Sequence, residues 1–296
     1  MRLIRKLPKL APRTPETNKG DYGRVLVVAG SLSMNGAAFL ASQSAIRAGA
    51  GVVHLATPLP SANIIAPMVP CCIVHPMPAT PDGSLSDQAN AQILELARNA
   101  SVVAIGPGLT TTQETRRLVI KLAQEIDRPV VLDADGLNAI VDNLYAVDRI
   151  GKPMVLTPHP GEMARLAGLP SAADVQGNRV KTAMLFAQRY ELVVVLKGHG
   201  TIVSDGNNMF INPTGNAGMA TAGAGDVLTG VIAALIGQGL SAFDASVLGV
   251  YVHGLAGDLA AQQKGQVSLI ATDLIDLLPN AFLQLEKVDY QVPLPG

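Results

Sequence analysis

The chain has 296 residues and no tryptophan, and aromatic residues make up only 3% of it. Its core must therefore be aliphatic. Abundant alanine, valine, leucine and glycine suit parallel strands buried on both faces, with helices packed closely against them. Charge is also scarce: 15% of residues are charged, the net charge is −1, and there is no basic tract. Nucleic acid and anionic membranes are thereby excluded as partners. Hydrophobic residues reach 48%, yet no apolar run approaches the roughly 20 residues needed to span a bilayer. The positive mean hydropathy then points to a deep core or an oligomer interface.

Cysteine is nearly absent. Cys71 and Cys72 are adjacent, a spacing at which disulfide geometry is rarely met. No CxxC or Cys/His metal spacing exists. Two small apolar side chains in a reducing cytoplasm is the reading that remains. Two nucleotide-binding spellings are missing as well. Gly151-Lys152 runs into Pro153, so it is not a GxxxxGK[ST] loop. Gly223-Ala224-Gly225 has Leu228 where a GxGxxG fingerprint needs its third glycine. Any nucleotide must be held another way.

Residues 1–22 are basic but carry no long apolar segment and no small-residue cleavage site, so they read as an extended arm. No repeat, low-complexity linker or composition break divides the rest, and a single domain over 1–296 is expected.

Strand and helix signals alternate. Strands are expected at 24–29, 52–57, 73–75, 101–105, 130–133, 154–156, 192–197, 201–204 and 209–212. Helices are expected at 36–48, 86–99 with Ser86 as N-cap, 111–126, 174–190, 227–236, 242–263 and 272–285. This order predicts an α/β fold, a mostly parallel central sheet with helices on both faces. Gly30-Ser31, 106–108, 133–136, 157–162 and 198–200 all follow strand C-termini. In open α/β sheets that edge is where ligands bind.

The richest stretch is 212–230, NPTGNAGMATAGAGDVLTG. Four glycines lead into Asp226, and an apolar helical run follows. Glycines let a backbone approach a phosphate, and a helix start offers unpaired N–H groups and the positive end of the dipole. An acid there can take a proton from a hydroxyl while the N–H groups hold a phosphoryl group. The bland alternative for Asp226 is a helix-start aspartate favoured only by the dipole. Asp226 is the candidate base.

Other residues carry two readings each. His159, stiffened between Pro158 and Pro160, is a ligand contact or an idle loop histidine. Glu162 is an N-terminal helix carboxylate or an indirect metal contact through water. Lys197, with Gly198, His199, Gly200 and Thr201, is a turn admitting a nucleotide or a snorkelling surface lysine. Asp133 and Asp135 are a metal pair, or Asp133 caps the helix near Gly136. His54, His75 and His253 read as structural.

These segments together resemble the nucleotide-dependent NAD(P)H-hydrate dehydratases of the ribokinase-like superfamily. The resemblance rests on NKGDYGRVLVVAGS (18–31), GAAFLASQSAIRAGAGVV (36–53), AIGPGL (104–109), VLDADGLN (131–138), LTPHPGEMARL (156–166), VVLKGHGTIV (194–203) and GNAGMATAGAGDVLTG (215–230), in order over nearly the whole chain. It implies a lyase that repairs hydrated nicotinamide cofactors, NADHX and NADPHX. The enzyme phosphorylates the ring hydroxyl with ADP or ATP and Mg²⁺, after which phosphate leaves. Carried over, Asp226 is the base. Ala37, Gly108, His159 and Asp226 line the hydrate pocket. Lys197, Gly198, His199, Gly200, Thr201 and Gly225 contact the nucleotide, and Glu162 influences Mg²⁺ indirectly.

The apolar C-terminal helices and the positive mean hydropathy suggest a homo-oligomer, read as a tetramer, and the cysteine usage a cytoplasmic protein. Some members carry an N-terminal epimerase domain. With Arg24 already in the first strand, that activity is expected from a separate protein. One spelling departs: Ala224 stands where the family usually has threonine. Two rivals stay open on the residues alone, a ribokinase-like small-molecule kinase and a non-catalytic nucleotide-binding protein.

Overall fold

A computed structural model describes residues 2–148 and 151–286. Within them, ten strands form one sheet: β1 (Arg2–Leu3), β2 (Arg24–Val28), β3 (Val52–Pro58), β4 (Cys72–Met77), β5 (Val102–Ile105), β6 (Val130–Leu132), β7 (Met154–Leu156), β8 (Val193–Leu196), β9 (Ile202–Ser204) and β10 (Asn208–Ile211). Their spatial order is β1-β10-β9-β8-β7-β6-β5-β2-β3-β4. Neighbours from β8 to β4 are parallel. β9 runs antiparallel to β8 and β10, and β1 is parallel to β10.

The helices are α1 (Asn35–Arg47), α2 (Leu59–Ile65), α3 (Asn90–Arg98), α4 (Gln113–Glu125), α5 (Asp135–Ile140), α6 (Pro160–Ala167), α7 (Ala172–Gly177), α8 (Arg179–Tyr190), α9 (Ala224–Gly237), α10 (Ala242–Lys264) and α11 (Ala271–Glu286). Both sheet faces are covered, and successive residues of one strand serve opposite cores. Val25 and Val27 pack with α1, α9, α10 and α11. Leu26 and Val28 pack with α3, α4, α5, α6 and α8. That two-sided burial is why the strands read as continuous apolar runs rather than alternating ones.

The expected strands and most expected helices are present. Three details differ. Ser86 does cap, its Oγ accepting from the Gln88 N–H, but it opens a 3₁₀ turn, Asp87–Ala89, and α3 begins only after that turn. The helix expected over 174–190 is broken at Asn178 (φ −142°, ψ 38°), which separates α7 from α8. The proline-rich stretch after β3 holds α2, which propensity did not suggest. The N-terminal arm is anchored through β1 and through Arg13, whose Nη2 donates to Gly49 O at 2.8 Å.

The chain runs outward from β2 through β3 to β4, then returns to the other side of β2 as β5. The β2/β5 boundary is thus the point where strand order reverses, the place at which open α/β sheets take their ligands. The two loops flanking it touch: the Gly30 N–H donates to Pro107 O at 2.8 Å.

Candidate active site

Asp226 lies in the first turn of α9, not just ahead of it. The helix starts at Ala224, and Gly223 is its N-cap in the left-handed region (φ 89°). That φ demands glycine, and a Cβ there would sit 2.4 Å from Leu40 Cδ1 of α1, so the two helices meet closely at this turn. Burial raises the Asp226 carboxyl to about 7. The Asp133 charge adds to the rise, and Lys197 opposes it.

Lys197, at the end of β8, reaches across two strands. Its Nζ donates to Asp133 Oδ1 at 2.6 Å and lies 3.9 Å from Glu162 Oε2. The lysine side chain is 19% exposed and that of Asp133 only 1%. Burial alone would lower the ammonium's pKa, but the Asp133 and Glu162 charges outweigh it and the net shift is upward. Lys197 therefore stays charged. A Cβ on Gly225 would meet Nζ at 3.3 Å, so the ammonium lies directly against the first turn of α9.

Asp133 does not cap α5. Ala134 holds that position with no side-chain cap bond. Both carboxylate oxygens of Asp133 are engaged, Oδ1 by Lys197 and Oδ2 by Thr229 Oγ1 at 2.6 Å. Asp135 braces the GPGL loop instead, accepting from the Thr110 N–H at 2.9 Å and from Asn138 Nδ2 at 3.3 Å. The two aspartates are therefore not a metal pair. Among the described residues no group of three His, Cys, Asp or Glu side chains could hold a metal ion.

His159 and Glu162 form a reciprocal cap on α6. The Gly161 and Glu162 N–H groups donate to His159 Nδ1 at 3.0 and 3.3 Å, and the His159 N–H donates to Glu162 Oε2 at 2.7 Å. This is a capping box with histidine in the Ser/Thr position. With Nδ1 accepting, the proton of a neutral ring sits on Nε2, which lies 3.4 Å from Glu162 Oε1. Desolvation, then Lys197, lowers the imidazole's pKa, and desolvation raises that of Glu162.

Ala37 and Gly108 are brought together at the β2/β5 boundary. A Cβ on Gly108 would lie 2.8 Å from the Ala37 Cβ, and Gly108 has φ 65°. One turn further along α1, Leu40 abuts Gly223, so a single helix joins this pair to the Asp226 turn. Gly198, His199, Gly200 and Thr201 form the turn between β8 and β9. Gly198 and Gly200 have φ 132° and 61°, and Thr201 Oγ1 donates to Gly198 O at 2.9 Å.

Three supporting residues are not evident from sequence. Thr229 clamps Asp133. His253 of α10, expected to be structural, is buried and bonds through Nε2 to Ala224 O at 2.9 Å, in the Asp226 turn itself. Arg179 gathers the carbonyls of Leu196, Lys197, His199 and Gly200. The visible signal for the first two was a polar residue inside an apolar stretch of helix, Thr229 within 227–236 and His253 within 247–257. His54 and His75 pair with each other at 2.8 Å on β3 and β4, away from these groups.

A mostly parallel sheet flanked by helices, with an aspartate on a glycine turn at a helix N-terminus, defines a ribokinase-like α/β protein. A ribokinase-like superfamily protein of Enterococcus faecalis shares the fold, with a TM-score of 0.80, 23% identity and coverage of 93% of this chain and 92% of that one. Residues 25–280 match the family model described as NAD(P)H-hydrate dehydratase, and the chain belongs to that family. It is 46% identical over 281 residues to the bifunctional NAD(P)H-hydrate repair enzyme of Moorella thermoacetica, covering 94% of this chain and 53% of that protein. With the Escherichia coli enzyme of the same description it shares 38% identity over 270 residues, covering 91% and 49%. The chain thus spans about half the length of the curated relatives it matches. The ADP/ATP-dependent NAD(P)H-hydrate dehydratase of Bacillus subtilis, co-crystallised with ATP and Mg²⁺, superimposes with a TM-score of 0.77 at 31% identity, with 94% of each chain covered.

Proposed function

We propose that this chain is a nucleotide-dependent dehydratase that returns (S)-NADHX and (S)-NADPHX to NADH and NADPH. The observation that carries the proposal is Asp226. Its carboxyl is tuned to about 7 at the N-terminus of α9, with the Lys197 ammonium against the same turn. A base poised near neutrality suits proton removal from a weakly acidic ring hydroxyl.

In this reading Asp226 takes the hydroxyl proton as the oxygen attacks the terminal phosphorus of ADP or ATP, and the shorter nucleotide leaves. The N–H groups of the first turn of α9 and the Lys197 charge hold the transferring group, since phosphoryl transfer depends mainly on positioning and charge. The ring nitrogen's lone pair then expels phosphate, and the iminium so formed loses a proton from the neighbouring ring carbon, which restores the neutral reduced nicotinamide ring. Ala37, Gly108 and His159 would line the hydrate pocket, and Lys197, Gly198, His199, Gly200, Thr201 and Gly225 the nucleotide pocket.

Direct chelation of Mg²⁺ by protein does not fit, because Asp133 is committed to Lys197 and Thr229 and no three-ligand cluster exists among the described residues. Mg²⁺ would arrive with the nucleotide's phosphates, as this ion commonly does. Glu162 would bear on it only through water.

The same proposal takes the chain as one domain, cytoplasmic, and linked in function to an NAD(P)HX epimerase. No helix among the described residues is long and apolar enough to cross a membrane. A homo-oligomer, read as a tetramer, is supported by Leu59, Ile64, Met68 and Ile73, which expose 54%, 44%, 46% and 49% of their surfaces around α2 and edge strand β4. Light scattering tests that state. The activity is tested by mixing protein, hydrated NADH, Mg²⁺ and ADP or ATP and following NADH absorbance. Recovery with either nucleotide is expected, and none with both refutes the assignment.

A further inference from the structure

Arg179 is the first residue of α8, on the chain just past the break at Asn178. Its guanidinium is half-buried beneath the turn between β8 and β9. Nη1 donates to His199 O at 2.5 Å, and Nη2 reaches Leu196 O, Lys197 O and Gly200 O at 3.1, 3.3 and 3.4 Å. Four carbonyl oxygens converge on one side chain. No carboxylate pairs with it among the described residues, so carbonyl dipoles alone answer its charge.

That convergence fixes the other side of the turn. In a trans peptide the C=O of one residue and the N–H of the next point in opposite directions, and the described chain has no cis bond. Carbonyls 196, 197, 199 and 200 face Arg179. The N–H groups of Lys197, Gly198, Gly200 and Thr201 therefore face away from it. The Lys197 N–H is taken by Pro158 O at 2.9 Å. The Gly198 and Gly200 N–H groups have no acceptor among the described residues, whereas the Thr201 N–H closes the turn at 199–200 on Gly198 O. Two outward donors on a glycine turn with positive φ form a concave site for an anion or an acceptor-rich group.

Gly198 is coupled to the same device. A Cβ there would lie 3.2 Å from Arg179 Nη1 and Nη2, so the guanidinium packs flat against the turn.

We propose that Arg179 is a positioning residue for nucleotide binding: it collects the turn's carbonyls from behind and so presents the Gly198 and Gly200 N–H groups to the adenine nucleotide. The inference rests on the proposed placement of the nucleotide at this turn. Arg179 itself touches no substrate. Lysine is a point donor and cannot span four acceptors set in a fork, so Arg179→Lys should retain only part of the effect. Methionine retains the stem and none of the donors.

The test is the dehydratase assay with either co-substrate varied, alongside calorimetric titration of wild type, Arg179→Lys and Arg179→Met with ADP and ATP in the presence of Mg²⁺. The expected result is a nucleotide KM and Kd raised about tenfold or more in Arg179→Met, the scale set by losing charged hydrogen bonds. The lysine variant should be intermediate, and the hydrate KM should stay within about twofold of wild type. An Arg179→Met variant that binds nucleotide as wild type does overturns the inference and leaves the nucleotide turn standing. A hydrate KM that rises in step with the nucleotide KM also overturns it, because it marks general damage; should the methionine variant not fold, the lysine variant alone decides by the same split. A wild type that binds neither nucleotide overturns both the inference and the placement beneath it.

Discussion

Lys197 and Asp133 make a 2.6 Å ion pair between the ends of strands β8 and β6, and this pair sets the charge around Asp226. The aspartate at 133 pushes the Asp226 carboxyl up, and the lysine pulls it down. The base is thus tuned by neighbours that are themselves tied together.

Replacing Asp226 with asparagine should lower turnover by about 10²-fold or more while nucleotide binding is largely retained. In wild type, kcat/KM should rise with pH through an acid limb near 7, where the base loses its proton. A stopped assay across pH ~5.5 to ~8.5 checks the limb, and near-normal turnover in the variant would remove Asp226 from the mechanism.

The same group bears on stability, with a sign opposite to that of aspartates whose carboxylate is held by a salt bridge. Folding raises its pKa from 3.8 to about 7, so across that window the folded protein holds a proton that the unfolded chain has released. Stability then falls as pH rises through the window. Asp226→Asn should raise Tm more at pH ~8 than at pH ~4, measured by calorimetry. An equal gain at both pH values contradicts the strained-carboxylate account.

Lys197→Met leaves Asp133 buried without its counter-charge. Removing one member of a buried pair typically costs about 3–5 kcal/mol, so a marked drop in Tm is expected. Lys197 also holds the Asp226 pKa down, so any residual activity should show its acid limb at higher pH than in wild type. A limb that stays in place would mean the two groups are not coupled.

His159 combines two duties that substitution can part. Asparagine is a good N-cap, whereas alanine loses about 1 kcal/mol at such a position. His159→Asn should keep wild-type Tm and raise the hydrate KM, while His159→Ala should lose both. If the asparagine variant keeps the wild-type hydrate KM, the imidazole serves the helix alone.

His253 supplies a separate acid response. Burial depresses it from 6.5 to about 4, so between those values the unfolded chain binds a proton that the folded one refuses. Stability present above pH 6.5 is lost as pH falls toward 4. His253→Gln keeps an N–H donor for Ala224 O and should flatten that loss. His253→Leu removes the donor and should also lower turnover by loosening the Asp226 turn. Thermal melts at several pH values and a turnover assay separate the two variants.

Much of this was legible in the chain. Strands β2 and β5 to β8 announce themselves as apolar runs ending in glycine or polar loops, because burial on both faces leaves their interiors no polar positions. Asp226, Lys197 and His159 stand in loops whose glycines and prolines mark special backbone. What sequence could not carry was the bracing. Thr229 reaches Asp133 across 96 positions, and His253 reaches a carbonyl 29 positions away. No spacing rule encodes such contacts. The break before Arg179 was punctuated by Gly177-Asn178, but helical composition on both sides masked it, and with it the residue that gathers the turn's carbonyls.

The burial of α9 extends from Val227 to Ile236 without interruption. Its flanks are sealed by aliphatic side chains, so water cannot gather beside the helix to damp the aligned peptide dipoles. The positive end of that column, at Gly225 and Asp226, is only partly buried. In a weakly polarisable surround an electric field falls off less than it would at a solvated helix start. The aliphatic sheath of α9 therefore leaves the field of its first-turn N–H groups undamped from behind.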